Sequence, residues 1–556
     1  SWSELQKTVT VDNTLRSSEI NLSTGVVTPV GSFDRNIAMN PEADDSYRAV
    51  VVPQTVAAGK STIGVTIDGT TYRYNRSDGM TYTGGKLHNF TIKIDRKADG
   101  GAYALTLVSE NITDWIADQS SHDFEANSYL IVNIPVAGTL KDCLAAARVD
   151  IGAVKNLKLT GNINDEDYRV MREEMYSLTA VNLKEVYSVS NVWNNEELKM
   201  EVVPMIVPSG AFANNSSIRR VVLPDNLVEL GDNCFRGMTL SSTVIIPNSV
   251  KTIGGGAFSD TKGIFSVVLP EKLERLEDWA FSSSSASIDL KLPSSLTYIG
   301  ERAFMAARNV CGYFALPPNL EYLGQEAFDG CGTDLSGQIT IPEKIKEIPQ
   351  SAFNSLGFSK PAELKFHDGV TKIGPGAFRG LRFSTPISFP KNLTSIGSGA
   401  FVDCSFSGDL ILPESVFDLG KDAFSNTNIK GTLKLPESLE LFGGSDSEFW
   451  VNENGSFSNT LIDRLIIGDN VEIIKENASV GCSMLKYVSI GKNITFIGKN
   501  AFGGCPLIET VVCLAAEPPA LDETAFSSVD YTHCVVEVPE ASVAAYRNAS
   551  GWNRFR

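Results

Sequence analysis

The side chains best suited to catalysis do not occur in catalytic patterns. The four histidines, His88, His122, His367 and His533, are scattered, and no two have the spacing of a metal-binding pair. The sequence contains no Gly-x-Ser-x-Gly elbow to expose a nucleophilic serine. Its Gly-Lys pair at 498–499 lacks the preceding Gly and the following Ser or Thr of a phosphate-binding loop. These patterns predict no catalytic centre and no cofactor.

Carboxylates cluster in two loops, "NPEADDS" at 40–46 and "NINDED" at 162–167. Calcium prefers oxygen ligands of this kind, but neither loop alternates as a dedicated calcium loop does. We therefore predict solvated acidic turns and no metal site. Paired carboxylates for glycoside hydrolysis cannot be picked out by spacing among 66 acidic residues.

The nine cysteines include no Cys-x-x-Cys motif. Cys331, Cys404, Cys482 and Cys505 each follow the Phe of a recurring Ala-Phe pair, or its equivalent, by three positions. Such regular placement predicts small buried core residues. A disulfide between Cys482 and Cys505 in adjacent repeats is the less favoured alternative, because stacked equivalent positions rarely have the required geometry.

Length and charge limit the classes of partner. At 556 residues the chain is too long for one compact core. Its net charge of −18 repels nucleic acid and anionic lipid surfaces. The longest apolar stretches, such as 129–138, are too short to cross a bilayer. We expect a soluble chain of several domains or an elongated array.

One pattern recurs about every 23 residues: "VVLPDNLVELGDNCF" at 221–235 is followed by related stretches at 244–258, 267–281 and 290–304. Repeats of this length with constant apolar positions indicate a leucine-rich-repeat solenoid. Each unit contains a short strand, a Pro or Gly that ends it, a second apolar pair and the Ala-Phe pair. Stacked units are expected to align the strands into a parallel sheet and the Phe rings into a core column.

The ends of the array carry capping signals. The stretch 157–183 predicts a strand and then a helix, with Asp165 as the cap and Tyr168, Met171 and Met175 on one face. At the other end, Trp552 and Phe555 are suited to cover the last coil.

The first 139 residues follow a different pattern. Alternating apolar residues on both sides of Asp68-Gly69 predict a β-hairpin. Further alternating stretches, "NFTIKIDR", "YALTLVSE" and "YLIVNIPV", add strands separated by polar turns. Together they predict an antiparallel β-sandwich.

Candidate binding residues come from the outward positions of the repeat strands. Val222, Ile245 and Val268 would form an adjacent apolar cluster on an exposed face, and a neighbouring column contains Tyr313 and Tyr487. This cluster is either a docking patch, a set of strand-forming residues, or a patch covered by the N-terminal sandwich. Trp450 lies in an insertion of about ten residues, which favours a loop on one face of the solenoid.

From about residue 140 to 556 the chain resembles the BspA-like bacterial leucine-rich-repeat family, whose units read approximately strand, Pro and "xxVxxIGxxAFxxC". The combination of "YRAVVVPQTV", "GGKLHNFTIKID" and "ENITDW" resembles the second half of fimbrillin (Mfa-like) proteins. The expected domains are a sandwich at 1–139, an opening cap at 140–200, repeats at 201–533 and a closing cap at 534–556.

The resemblance implies a non-catalytic adhesion protein of Bacteroidetes-type bacteria. Such proteins are exported to the cell surface, anchored to the outer membrane through a lipid on a Cys upstream of residue 1, or secreted. Family members bind host matrix or plasma proteins such as fibronectin and fibrinogen. Two alternatives stay open: a structural part of a fimbria-like assembly, and a carbohydrate-binding or hydrolytic surface protein.

Overall fold

The computed structural model describes residues 129–187, 205–444 and 454–555 together with their side chains. Backbone strands are also described within 7–114 and at 189–190 and 201–202. The chain divides into two compact units, Ser1–Ser120 and Ser121–Arg556.

In the first unit the predicted hairpin is present as strands Ser61–Ile67 and Thr70–Asn75, which pair antiparallel with Ile67 opposite Thr70. Strands Lys86–Arg96 and Tyr103–Asp114 also pair antiparallel, as predicted. Their assembly into a sandwich stays a prediction. The remaining strands of this unit are Lys7–Thr14, Ser18–Ile20, Val27–Pro29, Asp34–Ala38, Asn40–Pro41, Tyr47–Arg48, Gln54–Val56 and Met80–Tyr82.

The second unit is the predicted solenoid, in which each coil contributes to one or both of two rows of parallel strands. We call these rows the first and second sheets, although hydrogen bonding divides each row into several shorter sheets. The first sheet contains the strand that precedes the Pro or Gly of the repeat. Its strands are Leu130–Ile134, Asn156–Asn162, Ala180–Tyr187, Arg220–Val222, Val244–Ile245, Val267–Val268, Ile288–Asp289, Val310–Phe314, Asp334–Thr340, Glu363–Lys365, Lys430–Lys434, Leu461–Ile466, Tyr487–Ile490, Thr510–Cys513 and Val535–Glu537.

The second sheet contains the strand that precedes the Ala-Phe turn. Its strands are Met205–Val207, Leu227–Leu230, Thr252–Ile253, Arg275–Leu276, Tyr298–Ile299, Tyr322–Leu323, Glu347–Ile348, Lys372–Ile373, Ser395–Ile396, Asp418–Leu419, Leu441–Phe442, Ile473–Ile474, Phe496–Ile497 and Ala520–Leu521. A separate antiparallel pair joins Val189–Ser190 to Glu201–Val202.

The Ala-Phe phenylalanines form the predicted core column. Their rings stack between successive coils from Phe212 to Phe457, with centroids 5.0–6.1 Å apart in steps such as Phe258–Phe281 and Phe328–Phe353. Ser479 occupies the next position and interrupts the column before Phe502 and Phe526, whose rings are 4.9 Å apart. The four cysteines predicted to lie in the core, Cys331, Cys404, Cys482 and Cys505, are confirmed as buried. All nine cysteines are free thiols.

The strand Leu130–Ile134 corrects one prediction. It was assigned to the antiparallel sandwich, but it pairs parallel with Asn156–Asn162 and forms the outer strand of the first sheet. The sequence of this strand alternates in the way that either sheet would require, so the pattern alone could not assign it.

Within residues 129–187, 205–444 and 454–555, helices occur at the two ends of the solenoid. At the opening end, the helix Asp165–Glu173 begins at Asn164, which is the N-cap in place of the predicted Asp165. The Asn164 side chain accepts a hydrogen bond from the Glu166 N–H at 3.0 Å, because an Asn oxygen satisfies an otherwise unpaired helix donor. Tyr168 packs edge-on against Phe212 at 5.5 Å and so closes the column. The other helices of this end are Leu140–Ala146 and the 3-10 turn Ile151–Ala153.

The closing end behaves as predicted. The Phe555 ring packs edge-on against Phe526 at 5.3 Å, and the buried Trp552 lies 6.4 Å from the same ring. The Trp552 indole N–H donates to the Pro519 carbonyl at 2.9 Å, so its polar atom is satisfied. The helical elements of this end are Glu540–Ser542, Val543–Asn548 and Trp552–Arg554.

Candidate protein-binding surface

The first sheet brings three of the predicted binding residues together. Ile245 lies directly opposite Val268 on paired strands, and the strand ending at Val222 is adjacent to that of Ile245. All three side chains are half-buried, whereas the prediction described them as exposed. The Thr243 and Ser266 hydroxyls share a hydrogen bond of 2.8 Å beside them. The three side chains are therefore adjacent, as predicted, but only partly accessible. Their β-branched shapes also suit the strands themselves.

The other predicted residues lie apart from this patch. Tyr313 is 59% exposed and lies opposite Ser336, several coils further along. Tyr487 lies under the Arg464 guanidinium, whose Cζ is 3.8 Å from the ring centroid. Trp450 lies outside the described residues.

A more concentrated set of large side chains lies on the second sheet. Arg275, Tyr298 and Tyr322 occupy facing positions on three successive strands and point outward, while their neighbours Leu276, Ile299 and Leu323 are buried. The Arg275 Cζ lies 4.0 Å from the Tyr298 ring centroid. The Tyr298 and Tyr322 rings stack with centroids 4.6 Å apart. We call these three residues the aromatic ladder.

The aromatic ladder is held rigidly. The Arg275 Nε donates to Glu277 Oε1 at 2.6 Å, which fixes the guanidinium over the Tyr298 ring. Partial burial raises the pKa of both Tyr298 and Tyr322, so both hydroxyls stay protonated hydrogen-bond donors at neutral pH. Tyr and Arg are the residues most enriched at protein-binding hot spots, and a rigid arrangement reduces the entropy lost on binding.

A second row of large side chains, which we call the turn ladder, runs along the Ala-Phe turn next to the aromatic ladder. Trp279, Arg302 and Glu326 precede Ala-Phe in three successive coils, and all adopt left-handed backbone angles, with φ of 61°, 53° and 54°. Equivalent positions elsewhere include Gly256, Gly376, Gly399, Asn477 and Asn500, residue types that favour this region. A large side chain there costs roughly 1–2 kcal/mol.

The strained side chains interlock. The Arg302 Cζ lies 4.6 Å from the Trp279 ring centroid, and its Nε and Nη2 donate to the two Glu326 carboxylate oxygens at 2.6 and 3.0 Å. Trp279 remains 39% exposed. Strain that persists at an exposed aromatic residue is typical of functional surfaces.

A groove of about 710 Å³ borders this turn on the side of the preceding coil. Its floor is the run Gly254–Gly256, and its walls come from the coils before and after that run. The charged and aromatic side chains that line it are Glu229, Asp232, Arg236, Glu277, Asp278 and Trp279. The aromatic ladder and the groove are contiguous through Glu277, which lines the groove and binds Arg275.

Other candidate groups from the sequence have structural roles or do not converge. In residues 129–187, 205–444 and 454–555, no three His, Cys, Asp or Glu side chains converge as metal ligands. The acidic loop at 162–167 is a helix cap, in which Asp167 accepts hydrogen bonds from the backbone of Gly138, Leu140 and Asn164. His367 has a structural role in a turn, because its Nδ1 accepts a hydrogen bond from the Gly369 N–H at 3.0 Å. Within the same ranges, no helix is long and apolar enough to span a membrane.

The sequence prediction missed the aromatic ladder, although a signal was present. The tyrosines of "LTYIG" and "LEYLG", Tyr298 and Tyr322, are 24 positions apart, at the same place in consecutive repeats. Arg275 lies 23 positions before Tyr298, at the same place in the preceding repeat. The prediction followed the outward positions of the first strand only. Listing the outward position of the second strand in the same way would have found the ladder.

Two parallel sheets built from stacked repeat coils define a leucine-rich-repeat solenoid, and the family comparison agrees. A model of the BspA type leucine rich repeat region matches residues 205–336, 332–446 and 451–536, more than half of the chain. The chain therefore belongs to the BspA-type leucine-rich-repeat family. A fimbrillin-like model matches residues 3–115. Both families are typical of surface proteins.

Solved structures include similar chains. One is a leucine-rich repeat protein from Bacteroides ovatus, with 15% identity over 81% of this chain and 98% of that one and a TM-score of 0.32. A second is the pneumococcal vaccine antigen PcpA, with 16% identity, 70% and 80% coverage and a TM-score of 0.36. A third is a leucine-rich cell surface protein from Faecalibacterium prausnitzii, with 18% identity, 78% and 94% coverage and a TM-score of 0.27. A search of curated proteins gave no match.

Proposed function

We propose that this chain is a non-catalytic adhesion protein of the bacterial cell surface that binds a partner protein through the outer face of its solenoid. The partner is a protein of the host matrix or plasma, or of another bacterial surface. The family assignment supports a surface role in protein interaction. The aromatic ladder is the single observation that carries the choice of face.

The composition of the aromatic ladder favours a protein partner. A hot spot needs large side chains that are fixed before binding, and Arg275, Tyr298 and Tyr322 are fixed by mutual stacking. The half-buried cluster of Val222, Ile245 and Val268 offers less accessible area, so it stands as the second candidate face.

The ring stacking also disfavours a carbohydrate partner. A sugar ring packs on an open aromatic face, but the two faces of Tyr298 are covered by Arg275 and Tyr322. At Tyr298 a partner meets the ring edge and the hydroxyl, and one face of the Tyr322 ring is likewise taken by the stack. Ring edges and hydroxyls are the groups that recognise backbone amides and carboxylates of proteins.

The test is binding of the purified full chain to an array of matrix proteins, plasma proteins, bacterial surface proteins and glycans, at low and high salt. We expect saturable binding to a protein. The double variant Tyr298→Ala/Tyr322→Ala should weaken it at least about tenfold, because each lost hot-spot side chain is worth about 2 kcal/mol.

The matched control is Ile245→Thr/Val268→Thr, which keeps β-branched side chains on the first sheet and removes apolar surface. We expect less than about a threefold change in affinity for it. Loss of binding in this control alone would move the binding face to the first sheet. Binding to glycans alone, or to no component of the array, would overturn the proposal.

A further inference from the structure

One of the three glycines at the floor of the groove, Gly255, could be replaced by a larger residue without backbone strain or a steric clash. A Cβ on Gly254 would lie 2.7 Å from backbone atoms of the preceding coil, so no side chain fits there. Gly256 has a left-handed φ of 61°. Gly255 has neither constraint, since its Cβ would meet no atom closer than 3.4 Å.

The equivalent positions in neighbouring coils carry side chains, namely Asp232, Asp278, Glu301, Gln325 and Gln350. A side chain at Gly255 would therefore continue this column and fill the groove. Its absence leaves a notch one coil wide between Asp232 and Asp278. We refer to this space as the Gly255 notch.

The charge of the Gly255 notch is strongly negative. Four carboxylates and one guanidinium line it. The single cation, Arg236, lies 3.7 Å from Asp260 and is engaged there. Among the residues that the structure describes with side chains, Glu229, Asp232 and Asp278 have no cationic partner. The Gly255 N–H donates to Asp232 Oδ1 at 2.7 Å and so holds that carboxylate at the rim.

Trp279 adds an aromatic wall. Arg302 covers this ring from the following coil, whereas the notch lies toward the preceding coil. An aromatic ring beside carboxylates attracts an organic cation through its negative face as well as through charge. A metal ion would require several ligands converging on one point, and the carboxylates here line two walls of an open groove.

We propose that the Gly255 notch receives a basic side chain, arginine or lysine, that projects from the partner protein. This inference rests on the proposed function and makes it more specific: the partner presents a basic residue next to the surface that contacts the aromatic ladder. The volume of about 710 Å³ accommodates a long side chain together with its backbone. The chain's net charge of −18 favours approach of a basic partner surface.

The probe is Nα-acetyl-arginine amide, and its neutral isostere Nα-acetyl-citrulline amide is the control ligand. Indole N–H signals of the full chain, labelled with ¹⁵N in tryptophan, report binding, and loss of one signal in Trp279→Phe assigns Trp279. We expect a saturable shift of that signal in the millimolar range with the arginine probe. The citrulline probe should leave it unchanged.

Two variants test the geometry. Gly255→Gln adds the side chain that Gln325 and Gln350 carry in equivalent coils, so it should fold normally, abolish the Trp279 shift and weaken partner binding about fivefold or more. Gln350→Gly opens a notch between Gln325 and Pro375, which have no carboxylate. It should neither bind the probe nor change partner binding.

The outcomes separate this inference from the proposed function. A Trp279 signal that does not move with the arginine probe, or moves equally with citrulline, overturns the notch as a basic-residue site. Partner binding that is unchanged in Gly255→Gln overturns it too, while the proposed function stands. A selective shift without any partner on the array supports the notch and counts against the proposed function.

Discussion

Two segments of the solenoid, 275–326 and 372–422, have the same backbone and carry different surfaces. In both, the second sheet and the Ala-Phe turn repeat with the same register. The outward positions of the first segment hold Arg275, Tyr298 and Tyr322. Those of the second hold Lys372, Ser395 and Asp418, with Ser395 Oγ donating to Asp418 Oδ2 at 2.8 Å.

The turns differ in the same direction. Before Ala-Phe, the second segment has Gly376, Gly399 and Asp422 in the left-handed region. At the equivalent positions the first segment has the turn ladder, Trp279, Arg302 and Glu326. The core column is indifferent to this change, so a solenoid can concentrate large side chains in a few coils without altering its fold. The comparison therefore supports our proposal that the first segment contacts the partner.

The largest effect should come from the core column, in which both segments stack one phenylalanine per coil, although Phe401 also packs against Phe383, Phe389 and Phe406. Phe304 lies 5.3 and 5.4 Å from its neighbouring rings, and Phe401 lies 5.2 and 5.3 Å from its own. We expect Phe304→Ala and Phe401→Ala each to lower the free energy of unfolding by about 3–5 kcal/mol. Denaturant unfolding followed by circular dichroism measures this.

The same pair should differ in binding. Phe304 belongs to the same coil as Tyr298, so Phe304→Ala should weaken partner binding. Phe401→Ala should leave partner binding nearly intact, because coils contact only their neighbours. Equal losses of binding in the two variants would contradict the assignment of function to segment 275–326.

A smaller effect of opposite sign is expected at Asp422. This side chain is 2% exposed, and neither carboxylate oxygen accepts a hydrogen bond of ordinary geometry. Burial outweighs the effect of the Ser425 and Asn454 side chains, which lie close enough to lower the pKa of Asp422 in part. The nearby Ser425 hydroxyl donates instead to the Gly455 carbonyl at 2.9 Å. Burial therefore raises the pKa of Asp422. Asp422→Asn keeps the shape and the left-handed preference and should stabilise the fold by about 1–2 kcal/mol at neutral pH.

The sign of its pH dependence follows from the raised pKa. Below the ordinary Asp pKa of about 4, the carboxyl is neutral in both folded and unfolded chains, so the variant gains nothing. As pH rises through the raised folded pKa, the wild-type chain loses stability relative to Asp422→Asn. The thermal midpoint of Asp422→Asn should therefore exceed that of the wild type by a margin that grows as the pH rises across this range. A difference that is constant with pH would refute the buried charge as the cause.

A comparable but destabilising effect is expected for the turn ladder. Arg302→Ala removes the contact with Trp279 and both hydrogen bonds to Glu326, and should cost about 1–2 kcal/mol. Lys372→Ala, a control at the position of the second segment equivalent to Arg275, removes one exposed ion pair to Glu347 at 3.2 Å and should cost less than about 0.5 kcal/mol. Similar losses in the two variants, measured by urea unfolding, would show that the turn ladder is no more than ordinary surface.

The smallest effect should be seen in thiol reactivity of the native chain. Cys331 and Cys404 follow Phe328 and Phe401 and are buried. Burial raises the pKa of both thiols, that of Cys404 to about 12, so maleimide should not label them in the wild type. Phe304→Ala should expose Cys331 more than Cys404, and Phe401→Ala the reverse, as peptide mapping by mass spectrometry would show. Labelling of both in either variant would mean that the array opens as one unit.

Much of this architecture was predictable from the sequence. The Phe column and the buried cysteines occupy constant positions of the repeat, where burial permits few alternatives. The closing residues Trp552 and Phe555 were predictable because the last coil of a solenoid needs an apolar cover. Local signals near the opening end were less decisive. Asn164 and Asp165 are both good cap residues, and only the backbone angles of the finished turn distinguish them.

The binding surface was harder to predict, because variable positions are constrained by their spatial neighbours and by no internal rule. The repeat pattern was enough to predict the solenoid, its repeat length and its core, since one coil cannot bury its apolar residues without similar neighbours. The three-dimensional structure was needed to show that Leu130–Ile134 joins the first sheet and that Arg275, Tyr298 and Tyr322 stack. It also showed that Gly255 leaves a notch. The physical reason is that stacking and cavities depend on which side chains of different coils face one another, and that depends on coil register in three dimensions.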